Sequence, residues 1–136
     1  MLIISFAWTV PAFKARRKRC TRRDWNARYA RLFHKGDLVQ AWDKSPRIGG
    51  KRIGTVRLTA DPYQEPASAI PAEDWENEGF AYLTEIGATL HGKTPAQFWM
   101  DWLSDSRPVW VVRFEIVEIY DEVTAGVNTS CQPALF

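Results

Sequence analysis

The chain has 136 residues and a mass of 15.6 kDa, the size of one domain, so a division into two would leave each half barely able to bury a core. Hydrophobic residues make up 46% and charged residues 25% of the chain, with a formal net charge of +2, which excludes coiled coil, collagen, low-complexity sequence and a globally basic particle. No apolar run approaches the roughly 20 residues that span a bilayer, and residues 1–10 lack the basic leader of a signal peptide, so we expect a cytoplasmic protein without a membrane partner.

The N-terminal part of the chain predicts one strand and two helices. Residues 2–8 are β-branched and aromatic, which is typical of a buried strand. Residues 10–17 predict a short helix with Thr9 as its cap. Aromatic and aliphatic side chains recur at helical spacing over residues 25–33, and Asp24 precedes them as an N-cap, so a second helix with an aromatic stripe is predicted there.

The middle of the chain predicts a hairpin and an acidic helix. Residues 37–43 and 51–59 have the composition of strands, and the dense turn signal over residues 45–50 joins them. Because a turn of this kind is the simplest connection between two neighbouring strands, a hairpin is predicted. Residues 71–79 then predict a short acidic helix that ends at its glycine.

The C-terminal part predicts a helix that starts at Thr94 and a long strand over residues 109–120. Residues 121–136 have no periodicity, so we expect a frayed or loosely docked tail. Strands at both ends, a central hairpin and short helices between them predict an α+β fold. The expected architecture is a small mixed β-barrel with short helices packed around it, as a single domain over residues 1–120.

Charge is divided unevenly along the chain. Residues 1–60 hold 15 Lys and Arg against three acids, whereas residues 61–136 hold three bases against 13 acids. Seven of the ten residues 14–23 are basic, and a cluster of this kind favours phosphate contacts. The alternative is a solvated charge run that partly neutralises the acidic half. We expect a bipolar surface with its strongest positive field around residues 14–23.

Metal and cofactor sites have little support in the sequence. Cys20 and Cys131 form no C-x-x-C pair, so both are predicted to be reduced thiols rather than a disulfide or a zinc ribbon. His34 and His91 are isolated from cysteines and carboxylate pairs at ligand spacing. Since no Gly-rich phosphate loop or nucleotide fingerprint is visible either, we expect no metal and no cofactor.

An ordered set of short motifs runs through the chain after the first strand and Phe13. They are Lys18-x-x-Thr21-x-Arg23, Phe33-x-x-Gly36-Asp37-Leu38-Val39, Gly50-x-x-Ile53-Gly54-x-Val56-Arg57-Leu58-Thr59, Glu78-Gly79-Phe80 and Val111-Val112-Arg113-Phe114. In this order and spacing, over residues 2–119, they resemble the ASCH domain of the PUA-like superfamily. The resemblance implies a small barrel with a cleft between barrel and helices that binds RNA or nucleobases. Some ASCH proteins remove the acetyl group from N4-acetylcytidine, and others are nucleases or coactivator modules, so the fold leaves the activity open.

The resemblance also implies a catalytic set. In the amidohydrolase members this set is a Lys, a Thr three residues later and the Glu of the Glu-Gly-Phe segment, which fall on Lys18, Thr21 and Glu78. A threonine hydroxyl is a poor nucleophile until a base takes its proton, and a lysine can be that base only when neutral. Burial and neighbouring arginines would lower the pKa of Lys18, whereas Glu78, if close, would raise it. A solvated lysine, a strand threonine and an acid on an exposed face are the structural alternatives.

Two positions depart from the family pattern, and further residues are predicted to bind the ligand. Arg16 stands where the family usually carries Gly, and Arg19 stands where it often carries Thr, which makes the mouth of the cleft more cationic. Trp8 and Trp42 are placed to stack on a base at about 1–3 kcal/mol, with core packing as the alternative, and the other five tryptophans are predicted to pack the core. The predicted ligand-binding residues are Arg16, Arg17, Arg19, Arg22, Arg23, Trp42, Arg47 and Lys51.

These observations leave two main functional hypotheses. The first is a domain that binds RNA or a modified nucleoside through a basic cleft, with an affinity that falls steeply as salt rises. The second is an amidohydrolase that removes the acyl group from N4-acetylcytidine-like nucleosides with the Lys18, Thr21 and Glu78 set. A structural or regulatory domain that uses the acidic half is a third possibility. RNA or a nucleoside is therefore the expected partner, and the sequence leaves the oligomeric state open.

Overall fold

The computed structural model describes residues 1–120, and the predicted tail with Cys131 lies outside the described residues. Six strands form one sheet, and they are β1 (Ile3–Ser5), β2 (Cys20–Arg23), β3 (Leu38–Trp42), β4 (Arg52–Leu58), β5 (Tyr63–Pro66) and β6 (Pro108–Ile119). Five short α-helices surround it, and they are α1 (Val10–Lys14), α2 (Ala27–Ala30), α3 (Asp74–Asn77), α4 (Phe80–Glu85) and α5 (Pro95–Leu103). Short 3₁₀ turns cover Ala7–Thr9, Pro46–Ile48 and Ala67–Ala69.

The sheet is built around the long strand β6. Its strand order is β1-β3-β4-β6-β2, and β5 also pairs with β6. β1 pairs with β3 in parallel, and the other neighbours are antiparallel. β4 and β5 follow one another along one edge of β6, while β2 lies along its other edge. The sheet curls into a half-barrel, so the predicted α+β class with short helices around a curved sheet is confirmed.

Several predicted elements agree with the structure because their local signals are strong. The hairpin forms from β3 and β4, whose register pairs Val39 with Val56 in the core. Helix α5 begins with a capping box in which the Thr94 hydroxyl accepts from the amide of Gln97, and the Gln97 side chain accepts from the amide of Thr94. The long C-terminal strand is β6.

Other elements differ from the prediction for local reasons. The first strand ends at Ser5, because the chain turns into a 3₁₀ segment at Ala7, whose φ is +50°. The second helix is only the four residues of α2, and its cap is Asn26 rather than Asp24. β2, β5 and α4 were not predicted, since β2 and β5 are short and polar and lack the apolar alternation by which strands are found.

The core has two parts. The larger part lies inside the curled sheet, where Phe6 contacts Phe13 and Phe114. The smaller part lies among the helices, around Phe80 and Leu83. Trp8, Trp75, Trp99 and Trp102 pack against this second part, and Trp25 stacks on Phe33 in the first. The helical part thus provides a wall of aromatic rings beside the sheet.

Gly79 joins α3 to α4 at a point where α1 comes close. Its φ of +99° lies in the left-handed region, and a Cβ there would lie 2.5 Å from the Cβ of Ala12. A side chain at this position would therefore be strained and would also push α1 away. Because Gly79 directly follows Glu78, the same tight turn fixes the backbone of that carboxylate residue.

We predict that Gly79→Ala lowers the free energy of unfolding by about 1–3 kcal/mol more than the matched variant Gly87→Ala, from the added steric overlap. Gly87 has a φ of +70° but open space at its Cβ position, so it carries the backbone strain without the contact to Ala12. Urea unfolding of both variants measures the difference. Equal losses in the two variants would show that the approach of α1 to Gly79 does not matter.

Candidate functional site

A small cavity lies between the end of β1, strand β2 and the helices. Its volume is about 240 Å³. Its polar wall includes Thr21, Arg22, Arg23 and Glu78. Its aromatic wall consists of Phe6, Trp8, Phe80, Phe98 and Trp102. Two of the three predicted catalytic residues, Thr21 and Glu78, therefore line one cavity together.

Lys18 and Glu78 form a buried ion pair next to this cavity. The Lys18 residue is 1% exposed and Glu78 is 2% exposed. Lys18 Nζ donates to the backbone oxygen of Glu78 at 2.7 Å and lies 3.3 Å from Glu78 Oε1. Burial lowers the pKa of Lys18, and this effect outweighs the opposing attraction of the Glu78 carboxylate. The lysine is thus closer to its neutral form at neutral pH than an exposed lysine.

The alternation of strand β2 divides the basic segment between two sides. Cys20 and Arg22 point to Glu78, with Cys20 Sγ at 3.5 Å and Arg22 Nη1 at 2.8 Å from Glu78 Oε2. Thr21 and Arg23 point to the other side. There Arg23 Nε donates to Thr21 Oγ1 at 3.1 Å, and Arg23 Nη2 donates to the backbone oxygen of a β1 residue, Ser5.

Behind Glu78 lies a network of ion pairs that the sequence did not indicate. Arg22 Nη2 donates to Glu65 Oε1 at 2.8 Å and to Asp74 Oδ2 at 2.7 Å. Arg113 also donates to both oxygens of Asp74, at 3.0 and 2.7 Å. Because Arg22 holds Oε2 of Glu78, the other carboxylate oxygen is directed to Lys18.

Asp74 is fully buried at the centre of this network rather than on an exposed acidic face. Burial alone would raise the pKa of Asp74, but hydrogen bonds from Arg113, Asn77 and Arg22 outweigh it and hold the pKa at about 2. No periodic pattern marks Asp74 as different from the acids around it. Its role depends on arginines that are far away in sequence, which is why reading along the chain missed it.

The other predicted binding residues occupy different places. Arg17 is paired with Glu76 and Glu85, so its charge is largely neutralised by the acidic half of the chain. Arg16 and Arg19 are exposed. Arg16 has a φ of +63°, a conformation that glycine adopts without strain, which gives a physical reason why a glycine suits this position.

Of the eight predicted binding residues, only Arg22 and Arg23 line the cavity, so Trp42, Arg47 and Lys51 lie outside it like the three arginines above. Trp42 is at the end of β3 and donates its indole N–H to Gln40 Oε1 at 2.9 Å. Arg47 and Lys51 are exposed in and after the turn between β3 and β4. For Trp8 and Trp42 the sequence left core packing and cleft lining open; Trp8 packs against the helical core and also lines the cavity, whereas Trp42 lies outside it.

The described residues meet none of the requirements of a reactive thiol, a metal site or a membrane-spanning helix. Cys20 is a free, buried thiol, and burial together with the carboxylates of Glu78 and Asp74 raises its pKa. Residues 1–120 contain no group of three or more His, Cys, Asp or Glu side chains placed to hold a metal ion. Within the same residues, no helix has the length and apolarity needed to cross a membrane.

The fold and the cavity define an α+β half-barrel with a small, partly charged pocket. No family model matches the chain, and no curated protein matches it. Among solved structures, the fold is similar to that of protein EF3133 from Enterococcus faecalis V583, whose family is DUF984. The TM-score is 0.53 with 14% sequence identity, over 88% of this chain and 84% of that chain. The similarity supports the half-barrel fold, and the ASCH assignment stays a resemblance at the level of motifs.

We predict that Asp74 makes stability depend on acidic pH. Because its pKa of about 2 lies below the ordinary value of 3.8, its stabilisation is fully present above about pH 4 and is lost as the pH falls through 2. The loss is on the order of 2 kcal/mol. Urea unfolding between neutral and acidic pH measures it, and Asp74→Asn should remove this part of the slope. Asp101→Asn, in an exposed ion pair with Lys93, is the control and should leave the slope nearly unchanged.

Proposed function

We propose that the protein is an amidohydrolase that removes a small acyl group from the exocyclic nitrogen of a pyrimidine nucleoside, with N4-acetylcytidine as the representative substrate. The observation that carries this proposal is the buried Lys18–Glu78 pair beside a cavity that Thr21 lines. A buried lysine whose pKa is lowered by burial, beside a cavity that holds a hydroxyl group, is an arrangement typical of a catalytic base. The resemblance of the motifs to the ASCH amidohydrolases supports the same three residues.

The cavity suits a small planar substrate. Its volume of about 240 Å³ is below the range of about 300–1,000 Å³ that is usual for pockets of drug-sized ligands, so the acylated base is the part of the nucleoside that we expect inside it. The indole and phenyl rings of one wall offer apolar faces on which a base can stack. Two of these rings, Trp8 and Phe98, pack against each other with their ring centres 4.9 Å apart. The polar wall then faces the exocyclic amide.

In the proposed reaction, Thr21 is the nucleophile and Lys18 is the general base. The Thr21 oxygen bonds to the acyl carbon while its proton passes to the neutral amine of Lys18. The carbon–nitrogen bond then breaks, and the leaving exocyclic nitrogen takes this proton and becomes the free amine. Water attacks the acyl ester of Thr21 while Lys18 takes a proton from the water. Lys18 then passes this proton to the leaving Thr21 oxygen, so that the carboxylic acid is released and both Thr21 and neutral Lys18 are restored. Glu78 orients Lys18 through the carboxylate oxygen Oε1.

One observation favours a second candidate, in which the same pocket binds a modified nucleoside or RNA without turnover. In residues 1–120, the Thr21 hydroxyl is hydrogen-bonded to Arg23, and the amine of Lys18 is hydrogen-bonded only to Glu78. The nucleophile and the base are therefore not in direct contact. Catalytic hydrogen bonds often tighten only when substrate binds, so the hydrolase proposal requires that Lys18 turns from the Glu78 carbonyl to Thr21.

We predict that the protein releases cytidine from N4-acetylcytidine and that Lys18→Met and Thr21→Val each lower kcat by about 10²-fold or more, because each removes a group that transfers the proton or forms the new bond. Thr21→Ser keeps the hydroxyl and should keep a measurable part of the activity. Chromatography of the released cytidine, with Lys93→Ala as a control in an exposed ion pair, measures these effects.

Two results would contradict the hydrolase. The first is absence of cytidine release by the unaltered protein. The second is full activity of Thr21→Val. If the unaltered protein binds N4-acetylcytidine but does not hydrolyse it, the second candidate explains the pocket. The binding can be followed by the fluorescence of the tryptophans that line the cavity, Trp8 and Trp102.

A further inference from the structure

Arg23 is a partly buried cation that makes no ion pair with a carboxylate among residues 1–120. It donates to two neutral oxygens, the Thr21 hydroxyl and the backbone carbonyl of Ser5. Its guanidinium carbon lies 5.9 Å from the centre of the Phe6 ring. Burial lowers the pKa of Arg23, and this effect outweighs the opposing attraction of the Glu78 carboxylate, which does not contact the guanidinium directly. The neighbouring Arg22, by contrast, contacts three carboxylates.

One nitrogen of the Arg23 guanidinium, Nη1, is able to donate a hydrogen bond to a ligand. Nη1 has no hydrogen-bond partner in the described part of the chain, and it is not among the polar atoms that are sealed from solvent. Arg23 lines the main cavity and also a neighbouring cavity of about 160 Å³, which shares Arg22 and Trp102 with it. Its remaining donor is therefore open to a molecule in the cavity.

We propose that Arg23 is a catalytic residue that stabilises the oxyanion formed when Thr21 attacks the acyl carbon. This inference rests on the proposed function and adds a residue to it. The negative charge of the tetrahedral intermediate arises within one bond of the carbon that Thr21 attacks, and Arg23 already contacts the Thr21 oxygen. The intermediate would place a negative charge in direct contact with Arg23, which no carboxylate of residues 1–120 does, so the attraction is stronger for the intermediate than for the neutral substrate.

The position of Arg23 is fixed before the reaction. The carbonyl of Ser5 and the ring of Phe6 hold two sides of the guanidinium, and Thr21 holds a third. A donor that needs no rearrangement is the arrangement that stabilises an oxyanion most effectively. Since Arg23 donates to the Thr21 oxygen, the hydroxyl proton of Thr21 points elsewhere and is available to a base.

A purely structural role for Arg23 gives different expectations. In that case Arg23 only ties β2 to β1 through Ser5, and its loss would lower stability without a selective effect on kcat. The two roles are separated by the distribution of the effect between kcat and KM and by a ligand that imitates the tetrahedral intermediate.

The test uses Arg23→Gln and Arg23→Lys in the full chain. For Arg23→Gln with N4-acetylcytidine, we expect kcat to fall by about 10²–10³-fold with little change in KM, the loss typical of one oxyanion donor. Arg23→Lys keeps the charge and should lose less. Thermal unfolding checks that each variant is folded at the assay temperature. If Arg23→Gln is not folded, the test rests on Arg23→Lys. A kcat of Arg23→Lys equal to that of the unaltered protein then overturns the proposal, and a fall in kcat without a change in KM supports it.

Methylboronic acid gives a readout that does not depend on turnover. The Thr21 oxygen bonds to its boron and gives up a proton to Lys18, which yields a tetrahedral boronate anion that ¹¹B NMR distinguishes from the trigonal acid. We expect this signal in the unaltered protein and a loss of boronate affinity of at least tenfold in Arg23→Gln. Unchanged kcat or unchanged boronate affinity in folded Arg23→Gln overturns the proposed role of Arg23 but leaves the proposed hydrolase function standing. Absence of cytidine release by the unaltered protein overturns the proposed function itself, and this inference with it.

Discussion

The Glu78 carboxylate is the centre of the charged part of this protein. It accepts from Lys18 on one oxygen and from Arg22 on the other, although it is almost completely buried. A buried charge is costly unless it is paired, and removal of one partner of such a pair costs about 3–5 kcal/mol. The fold therefore has to bring Glu78 and strand β2 together accurately, and Gly79 allows this by letting α1 approach the backbone next to the carboxylate.

Strand β2 carries the residues of the ion-pair network on one side and the proposed catalytic residues Thr21 and Arg23 on the other. On one side of β2, Arg22 connects Glu78 to Asp74, and Asp74 is held in turn by Arg113 on the neighbouring strand β6. On the other side, Thr21 and Arg23 contact each other, and both line the cavity together with Arg22 and Glu78. The ion pairs behind the site thus fix the position of the Glu78 carboxylate. The Thr21 hydroxyl and the Arg23 guanidinium, which line the cavity, contact no carboxylate among the described residues.

The sequence was sufficient for part of the fold and for part of the site. The hairpin, helix α5 and strand β6 have clear periodicity or caps, and the order of the short motifs pointed to Lys18, Thr21 and Glu78. The basic segment was treated as one positive surface because β2 was not recognised, and only strand alternation shows that its side chains divide between two faces. Likewise, Asp74 is identified only by arginines that tertiary folding brings to it.

The central claim is that burial makes the Lys18 amine a usable base inside this site. The most direct test is an NMR titration of protein labelled at its six lysine side chains. The Lys18→Met variant identifies the Lys18 signal. We expect one lysine signal, absent in Lys18→Met, to titrate at a pH below that of the others, because burial lowers the pKa of Lys18. A Lys18 signal that titrates together with those of the exposed lysines would contradict the account.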